Sequence, residues 1–163
     1  MNRIRKMPPS RRSARDPSIR KHGAIDVRMF VSGDAARVAD ADAALIGGVD
    51  AVSAAALAAD PTRHVAIALD GRRVVGIAFA THRAGPRGEP ELIVSDLTVA
   101  PSHRRRGVGR RLLALLLAHG RALGCSEASA EAERDNAAIL ALCAAAGGVE
   151  VPDPQVRVSF ALD

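Results

Sequence analysis

The chain has 163 residues, enough for one domain with a sizeable hydrophobic core. Apolar residues make up 48% of it and aromatic residues only 2%, so we expect a finely packed aliphatic core. Two cysteines are too few for a disulfide framework, and without a CxxC pair or a His/Cys cluster no metal site is predicted.

The formal net charge of +5 is unevenly distributed. Residues 1–22 carry eight Arg or Lys and one Asp, whereas residues 23–163 carry 15 basic and 17 acidic residues. The body is slightly acidic, which argues against nucleic-acid binding over its whole surface. The segment 1–22 is predicted to be a disordered tail. Four interpretations of this tail are open. It is an extension without a role, a result of start-codon choice, a transit peptide, or an arm that binds nucleic acid or acidic surfaces.

The basic start of the chain lacks the apolar segment of a secretory signal. The chain has no run of about 18 apolar residues, the length needed to cross a membrane. We therefore expect a cytoplasmic, soluble protein with no membrane partner.

Ordered structure is predicted to begin near residue 24. Up to residue 82 the patterns predict a strand, two helices and a two-stranded hairpin, over residues 24–31, 35–46, 52–59, 64–69 and 74–82. Ser32-Gly33-Asp34 is typical of the start of a helix, Asp60-Pro61 ends the second helix, and Asp70-Gly71 is a strong hairpin signal.

After a Gly/Pro loop at 83–90, the patterns predict a strand, a helix, a strand, a helix and a strand, over residues 91–99, 109–123, 125–130, 135–146 and 156–161. The first of these helices has leucines at helical spacing near one face: Leu112, Leu113, Leu116, Leu117 and Leu123. Gly124 is its predicted C-cap.

A short Arg/Gly loop, Arg104-Arg105-Arg106-Gly107-Val108-Gly109, leads into that helix. Its glycines permit positive φ angles and a close approach to a ligand. The helix directs its first free N–H groups and the positive end of its dipole at the loop, which suits an anion such as a pyrophosphate. The spacing is that of neither a P-loop nor a dinucleotide fingerprint. The alternative is a surface turn with solvated arginines.

The pattern Arg104-x-x-Gly107-x-Gly109 resembles the signature of the GNAT N-acetyltransferases, and the order of predicted elements over residues 24–163 matches that family. The resemblance implies an α/β (α+β) fold in a single domain, residues 23–163. It implies a mixed central sheet of about six to seven strands, helices on both faces, and a cleft for acetyl-CoA between two splayed strands. Segments 60–64, 95–99 and 135–148 look like the aminoglycoside 3-N-acetyltransferase branch.

The resemblance also assigns cofactor contacts. Leu97 and Val99, with Thr98 between them, would offer backbone groups to the pantetheine arm. Asn136 would hydrogen-bond the pantetheine end, and the alternative for this residue is an ordinary helix cap. The arginines at 104–106 could contact the 3′-phosphate of CoA. The pyrophosphate would be held by the backbone N–H groups of Arg104, Arg105, Arg106, Gly107, Val108, Gly109 and Arg110.

Catalysis needs a base to remove a proton from the substrate ammonium. In the strand predicted over 91–99, Asp96 occupies the position at which the family carries an acid. The resemblance implies that Asp96 is the base, or that it binds the amine as a counter-ion and a water chain removes the proton. Alternatively, Asp96 pairs with an arginine and holds a strand bulge. Glu91 is a second candidate.

Most family members carry a Tyr in the last helix that reprotonates the leaving thiolate. This chain has no Tyr, and the position is occupied by Cys143. A thiol can donate a proton, but a cysteine is also a common buried apolar residue. His82 and His103 are expected near the cleft as surface or hydrogen-bonded side chains, and His22, His64 and His119 belong to no recognisable group.

We therefore expect an acetyl-CoA-dependent N-acetyltransferase acting on a primary amine of a small cationic molecule, such as an aminoglycoside or polyamine, or of a peptide. One alternative is a weak or inactive acyl-CoA-binding sensor of the same fold. Another is a nucleic-acid-associated acetyltransferase guided by the tail. Relatives that dimerise through the sheet edge make a homodimer one candidate assembly.

Overall fold

The computed structural model describes residues 24–41, 45, 55–57, 59–85 and 88–151. The predicted tail at 1–22 and the predicted last strand at 156–161 lie outside these residues, as do parts of the two helices predicted over 35–46 and 52–59. None of the helices within the described ranges is long and apolar enough to span a bilayer.

The fold is built on one mixed sheet with the strand order β1-β2-β3-β4-β5. The strands are β1 (Asp26–Met29), β2 (Arg63–Asp70), β3 (Arg73–Ala84), β4 (Pro90–Val99) and β5 (Glu127–Ala130). Neighbours from β1 to β4 pair antiparallel, and β4 pairs with β5 in parallel. The described residues thus form five strands where six to seven were predicted, and the predicted α/β class with a mixed sheet is confirmed.

The predicted turn between β2 and β3 is confirmed, with Gly71 at a φ of +62°. Only a glycine adopts this left-handed conformation without a steric penalty, so the Asp70-Gly71 pair fixes where the chain reverses. Antiparallel register then aligns the alternating side chains of the two strands on common faces.

One sheet face is covered by α2 (Val108–Ala122), whose buried side chains recur at helical spacing. Beneath it the sheet presents small residues, including Ala66, Ala68 and Ala78. The approach is close: a Cβ on Gly76 of β3 would lie 3.1 Å from a Leu112 methyl and 3.2 Å from a Val108 methyl. Leu123, expected on the buried face, is 38% exposed because it is the C-cap, and Gly124 follows with a φ of +82°.

The opposite face packs its larger aliphatic side chains, among them Val65, Ile67 and Ile77, against Val38 of α1 (Ala35–Ala39). Helices therefore lie on both sides of the sheet, as predicted. A third helix, α3 (Ala137–Ala145), follows β5.

A partly buried ion pair joins β1 to the start of α1. The Arg28 guanidinium donates to both oxygens of Asp34, at 2.6 Å each, and the Asp34 side chain is 3% exposed. Asp34 also accepts the N–H of Val31 at 3.1 Å. The hydrogen bond from Arg28 holds the pKa of Asp34 below its usual 3.8. Ser32–Asp34, predicted as the helix start, forms a 3-10 turn that leads into α1.

Candidate active site

A bulge in β4 determines which way its catalytic candidate faces. Val94 lies opposite Ala80 and Asp96 opposite Phe79, so Ser95 is inserted without a partner on β3. Simple alternation would put Asp96 on the same face as Val94, beneath α2. The extra residue turns Asp96 to the other face, where it is exposed.

The parallel strands β4 and β5 separate just beyond this bulge. Their pairing covers Glu91–Val94 and Glu127–Ala130, and one further bond runs from the Glu131 N–H to the Val94 carbonyl at 3.4 Å. The last five residues of β4 have no strand partner on that side among the described residues. The described structure thus contains an open edge at the place predicted for the pantetheine arm.

Residues along this open edge alternate between two environments. Leu97 and Val99 lie on the α2 side, where their methyl groups are 3.4 and 3.8 Å from the position of a Cβ on Gly109. Asp96 and Thr98 lie on the opposite side, and the Thr98 hydroxyl is 3.4 Å from the Asp96 carboxylate. The ion pair offered as an alternative for Asp96 is absent from the described residues. Asp96 is therefore an exposed carboxylate beside the splay point.

The loop predicted to hold pyrophosphate has a backbone suited to an anion. We call residues 104–109 the cradle. Within it Arg105 has a φ of +61° and Gly107, the N-cap of α2, a φ of +76°. Left-handed residues alternating with ordinary ones turn successive N–H groups toward one side, and the first N–H groups of α2 add to them. No side chain caps this helix end.

The arginine side chains of the cradle lie in solvent, whereas Gly109 packs against the interior. Arg104, Arg105 and Arg106 are exposed, and Arg104 Nε donates to the Val99 carbonyl at 3.0 Å. A Cβ on Gly109 would contact methyls of Leu97 and Leu142 at 3.4 and 3.5 Å. The first turn of α2 therefore lies directly against β4 and α3.

Asn136 caps α3, the alternative considered for this residue. Its side-chain oxygen accepts the N–H of Ile139 at 3.2 Å. This cap uses the oxygen, so only the amide NH2 group remains for a hydrogen bond to the cofactor.

Cys143, on α3, is half-buried and packs against the aliphatic cluster between the sheet and α2. The neighbouring Leu142 reaches the start of α2. The structure thus gives Cys143 apolar surroundings near the cleft, and its role as a proton donor stays a prediction.

Glu91, the second catalytic candidate, is not brought together with Asp96. It lies five residues earlier on β4, a separation of about 16 Å along a strand. Its carboxylate accepts a hydrogen bond from Arg83 Nε at 2.6 Å. Glu91 therefore has a structural partner of its own.

Three histidines form a hydrogen-bonded chain that the sequence did not indicate. His119 Nε2 lies 3.0 Å from His64 Nδ1, and His64 Nε2 lies 2.7 Å from His82 Nδ1. Burial lowers the pKa of His64 below its usual 6.5, and the charges of His119 and His82 lower it further. The histidine chain lies at the C-terminal end of α2. His82 was expected near the cofactor cleft, but it lies at this other end of the helix.

This histidine chain does not form a metal site. The two ring nitrogens of His64 point to different neighbours, so the three imidazoles do not converge on one ion. No group of three metal-ligating side chains occurs in the part of the chain that the structure describes.

The fold is shared with several solved acetyltransferases. A ribosomal-protein-alanine N-acetyltransferase from Brucella melitensis biovar Abortus 2308 is 20% identical, with a TM-score of 0.70 over 84% of this chain and 100% of that one. An aminoglycoside acetyltransferase from an uncultured soil metagenomic sample, in complex with sisomicin, is 16% identical, with a TM-score of 0.71 over 85% and 97%. AAC(6')-Iy, in complex with a bisubstrate analogue that contains CoA, is 21% identical, with a TM-score of 0.70 over 86% and 99%.

No curated protein sequence matches the chain significantly. The sequence model of the acetyltransferase (GNAT) family, however, matches residues 38–147, more than half of the chain. This match runs from the end of α1 through strands β2 to β5 and the cradle, and it includes all of α3. The chain therefore belongs to the GNAT family of acetyl-CoA-dependent N-acetyltransferases.

Proposed function

We propose that this protein transfers the acetyl group of acetyl-CoA to a primary amine of a small cationic molecule, such as an aminoglycoside or polyamine, or of a peptide. The observation that carries the proposal is the arrangement around the bulge in β4. Cofactor elements lie on one side, at Leu97, Val99 and the cradle, and the exposed Asp96 carboxylate lies on the other. A donor and an acceptor can thus meet at the open edge from opposite faces of one strand.

The chemistry assigned to these residues is a single acyl transfer. Asp96 takes a proton from the substrate ammonium, directly or through water, which frees the nitrogen lone pair. The nitrogen then attacks the thioester carbonyl carbon, the carbon–sulfur bond breaks, and CoA leaves as a thiolate. That thiolate takes a proton from the Cys143 thiol or from solvent. The attacking nitrogen gives up its second proton to solvent, which yields the neutral amide, and solvent restores the proton to Cys143 where the thiol was the donor.

A cationic acceptor fits the charge of the site. Asp96 is exposed and has no basic partner among the described residues, so it can attract an ammonium group as well as deprotonate it. The structurally similar acetyltransferases include proteins named for aminoglycosides and for a ribosomal protein. A homodimer stays a prediction.

The alternative, an acyl-CoA-binding sensor without turnover, is favoured by one observation. The Tyr position of the last helix holds Cys143, which packs among apolar groups. Since a CoA thiolate can leave without a proton donor, we expect this change to slow the reaction rather than abolish it.

Calorimetric titration with acetyl-CoA, followed by thiol release with pooled amines, separates these functions. Binding with amine-dependent release supports the transferase, binding without release supports the sensor, and no binding refutes both.

Asp96→Asn is expected to lower kcat by about 100-fold or more, while acetyl-CoA affinity stays unchanged. If Glu91→Gln is the variant that loses turnover, the base has been assigned wrongly. Cys143→Tyr should raise kcat if the missing hydroxyl limits the rate.

A further inference from the structure

A buried histidine lies immediately before the cradle. His103 ends a 3-10 turn (Pro101–His103) and is only 5% exposed. Its Nε2 lies 3.2 Å from an Asp70 carboxylate oxygen, and its Nδ1 lies 2.9 Å from the Ser102 hydroxyl. Since a carboxylate can only accept, Nε2 carries the proton that bonds to Asp70.

This contact joins two parts of the chain that are distant in sequence. Asp70 is the last residue of β2, beside the hairpin turn, and lies 33 positions before His103. A second link, from the Ala100 N–H to the Val75 carbonyl at 2.9 Å, holds the exit of β4 to β3. The segment that enters the cradle is therefore attached to the β2–β3 hairpin by a backbone bond and by a partly buried side-chain contact.

The cradle needs such support because part of its backbone is unfavourable. Arg105 has a left-handed φ of +61°, which costs a non-glycine residue about 1–2 kcal/mol. Its side chain is exposed, and no side chain caps the helix behind it. Such a conformation persists only where its surroundings hold it. Of the residues just before Arg105, His103 is the one whose side chain is buried.

We propose that His103 is a positioning residue for the cofactor. Its imidazole, held by Asp70, fixes the entry of the cradle against the hairpin, so that the N–H groups already point toward the pyrophosphate when acetyl-CoA arrives. This rests on the proposed cofactor role of the cradle. Because preorganisation reduces the cost of ordering on binding, its loss weakens affinity. His103 does not touch the reacting groups in this assignment, so kcat is unaffected.

The test compares two acetyl donors that differ in the pyrophosphate. In His103→Leu the Kd and KM for acetyl-CoA are expected to rise about tenfold with kcat unchanged. The kcat/KM for S-acetylpantetheine, which lacks the pyrophosphate, should stay as in wild type. His103→Gln, whose amide can donate to Asp70 from a similar position, should recover most of the acetyl-CoA affinity.

A stability control and a second variant separate this role from a merely structural one. Ile67→Val, fully buried on the other face of the sheet, should cost about 1 kcal/mol of stability and leave acetyl-CoA binding unchanged. Asp70→Ala, which removes the acceptor and whose native side chain is 21% exposed, serves if His103→Leu does not fold. In the double variant the affinity losses should be less than additive, because both changes break one contact.

The outcomes distinguish the inference from the function on which it rests. If wild-type protein does not bind acetyl-CoA, the cofactor role of the cradle is wrong. If wild type binds and His103→Leu binds as tightly as Ile67→Val, the positioning role is refuted and the proposed function stands. An equal loss with both acetyl donors would also refute it, because the effect would not involve the pyrophosphate.

Discussion

The two glycines that flank α2 allow the cradle to be tested with an internal control. Gly107 precedes the helix with a φ of +76°, and Gly124 follows it with a φ of +82°. A Cβ at either position would meet no atom within 4 Å. Alanine at both sites therefore differs from glycine only in backbone preference. Only Gly107 lies in the cradle.

The expected loss of stability is the same for the two alanine variants. A left-handed alanine costs about 1–2 kcal/mol, and the reduced freedom of the unfolded chain offsets up to about 1 kcal/mol of this. The free energy of unfolding should thus fall by about 1 kcal/mol in both Gly107→Ala and Gly124→Ala, as measured by urea denaturation.

Binding should separate the two variants. Alanine at 107 favours a negative φ, which rotates the neighbouring N–H groups away from the pyrophosphate. We expect the Kd for acetyl-CoA, measured by calorimetry, to rise about tenfold in Gly107→Ala and to stay within twofold of wild type in Gly124→Ala. Unchanged binding by Gly107→Ala, or an equal loss in both variants, would refute the assignment of the cradle to the cofactor.

Three further predictions concern stability. The pKa of His64 is lower in the folded state than in the unfolded state, so the unfolded state binds more protons in mild acid. The free energy of unfolding should therefore fall as the pH drops below about 6.5, by at most about 1.4 kcal/mol per pH unit. His64→Gln should flatten this part of the pH dependence measured by urea denaturation. Asp34→Asn breaks the bidentate pair with the one-third-exposed Arg28 and should cost about 1–3 kcal/mol in urea denaturation, whereas a loss below about 0.5 kcal/mol would show that solvent replaces the pair. Gly120→Ala places a Cβ 2.9 Å from a Leu92 methyl and should lower the melting temperature, an effect that Leu92→Val should partly relieve; a raised melting temperature would mean that helix propensity outweighs the clash.

The strand–loop–helix that contains the cradle was predictable because its signals are local. The strand predicted over 91–99 is observed as Pro90–Val99, and the helix predicted over 109–123 as Val108–Ala122. Glycine punctuation and leucine spacing are read within a single element, so they survive without knowledge of the tertiary structure.

The orientation of Asp96 and the histidine chain depended on information that no local pattern carries. Alternation along β4 places Asp96 beneath α2, and only the register with β3 reveals the inserted Ser95 that turns it outward. His64 and His119 are 55 positions apart and meet because α2 packs across β2. Such contacts follow from pairing register and helix packing, which alternation and spacing do not specify.

The strand β2 contacts α2 near the end of the helix and contacts the segment just before its start. Changes at one of these contacts can therefore affect stability, and changes at the other can affect cofactor binding. His64, the second residue of β2, contacts His119 near the end of the helix, and Asp70, the last residue of β2, contacts His103 just before the helix begins. Strand and helix therefore run in opposite directions, and the six-residue step from His64 to Asp70 spans about 20 Å. The eleven-residue step from Val108 to His119 spans about 17 Å, so the two lengths match. Protonation of His64 acts at the end of α2 that is remote from the cradle, so mild acid should weaken the fold before it weakens cofactor binding.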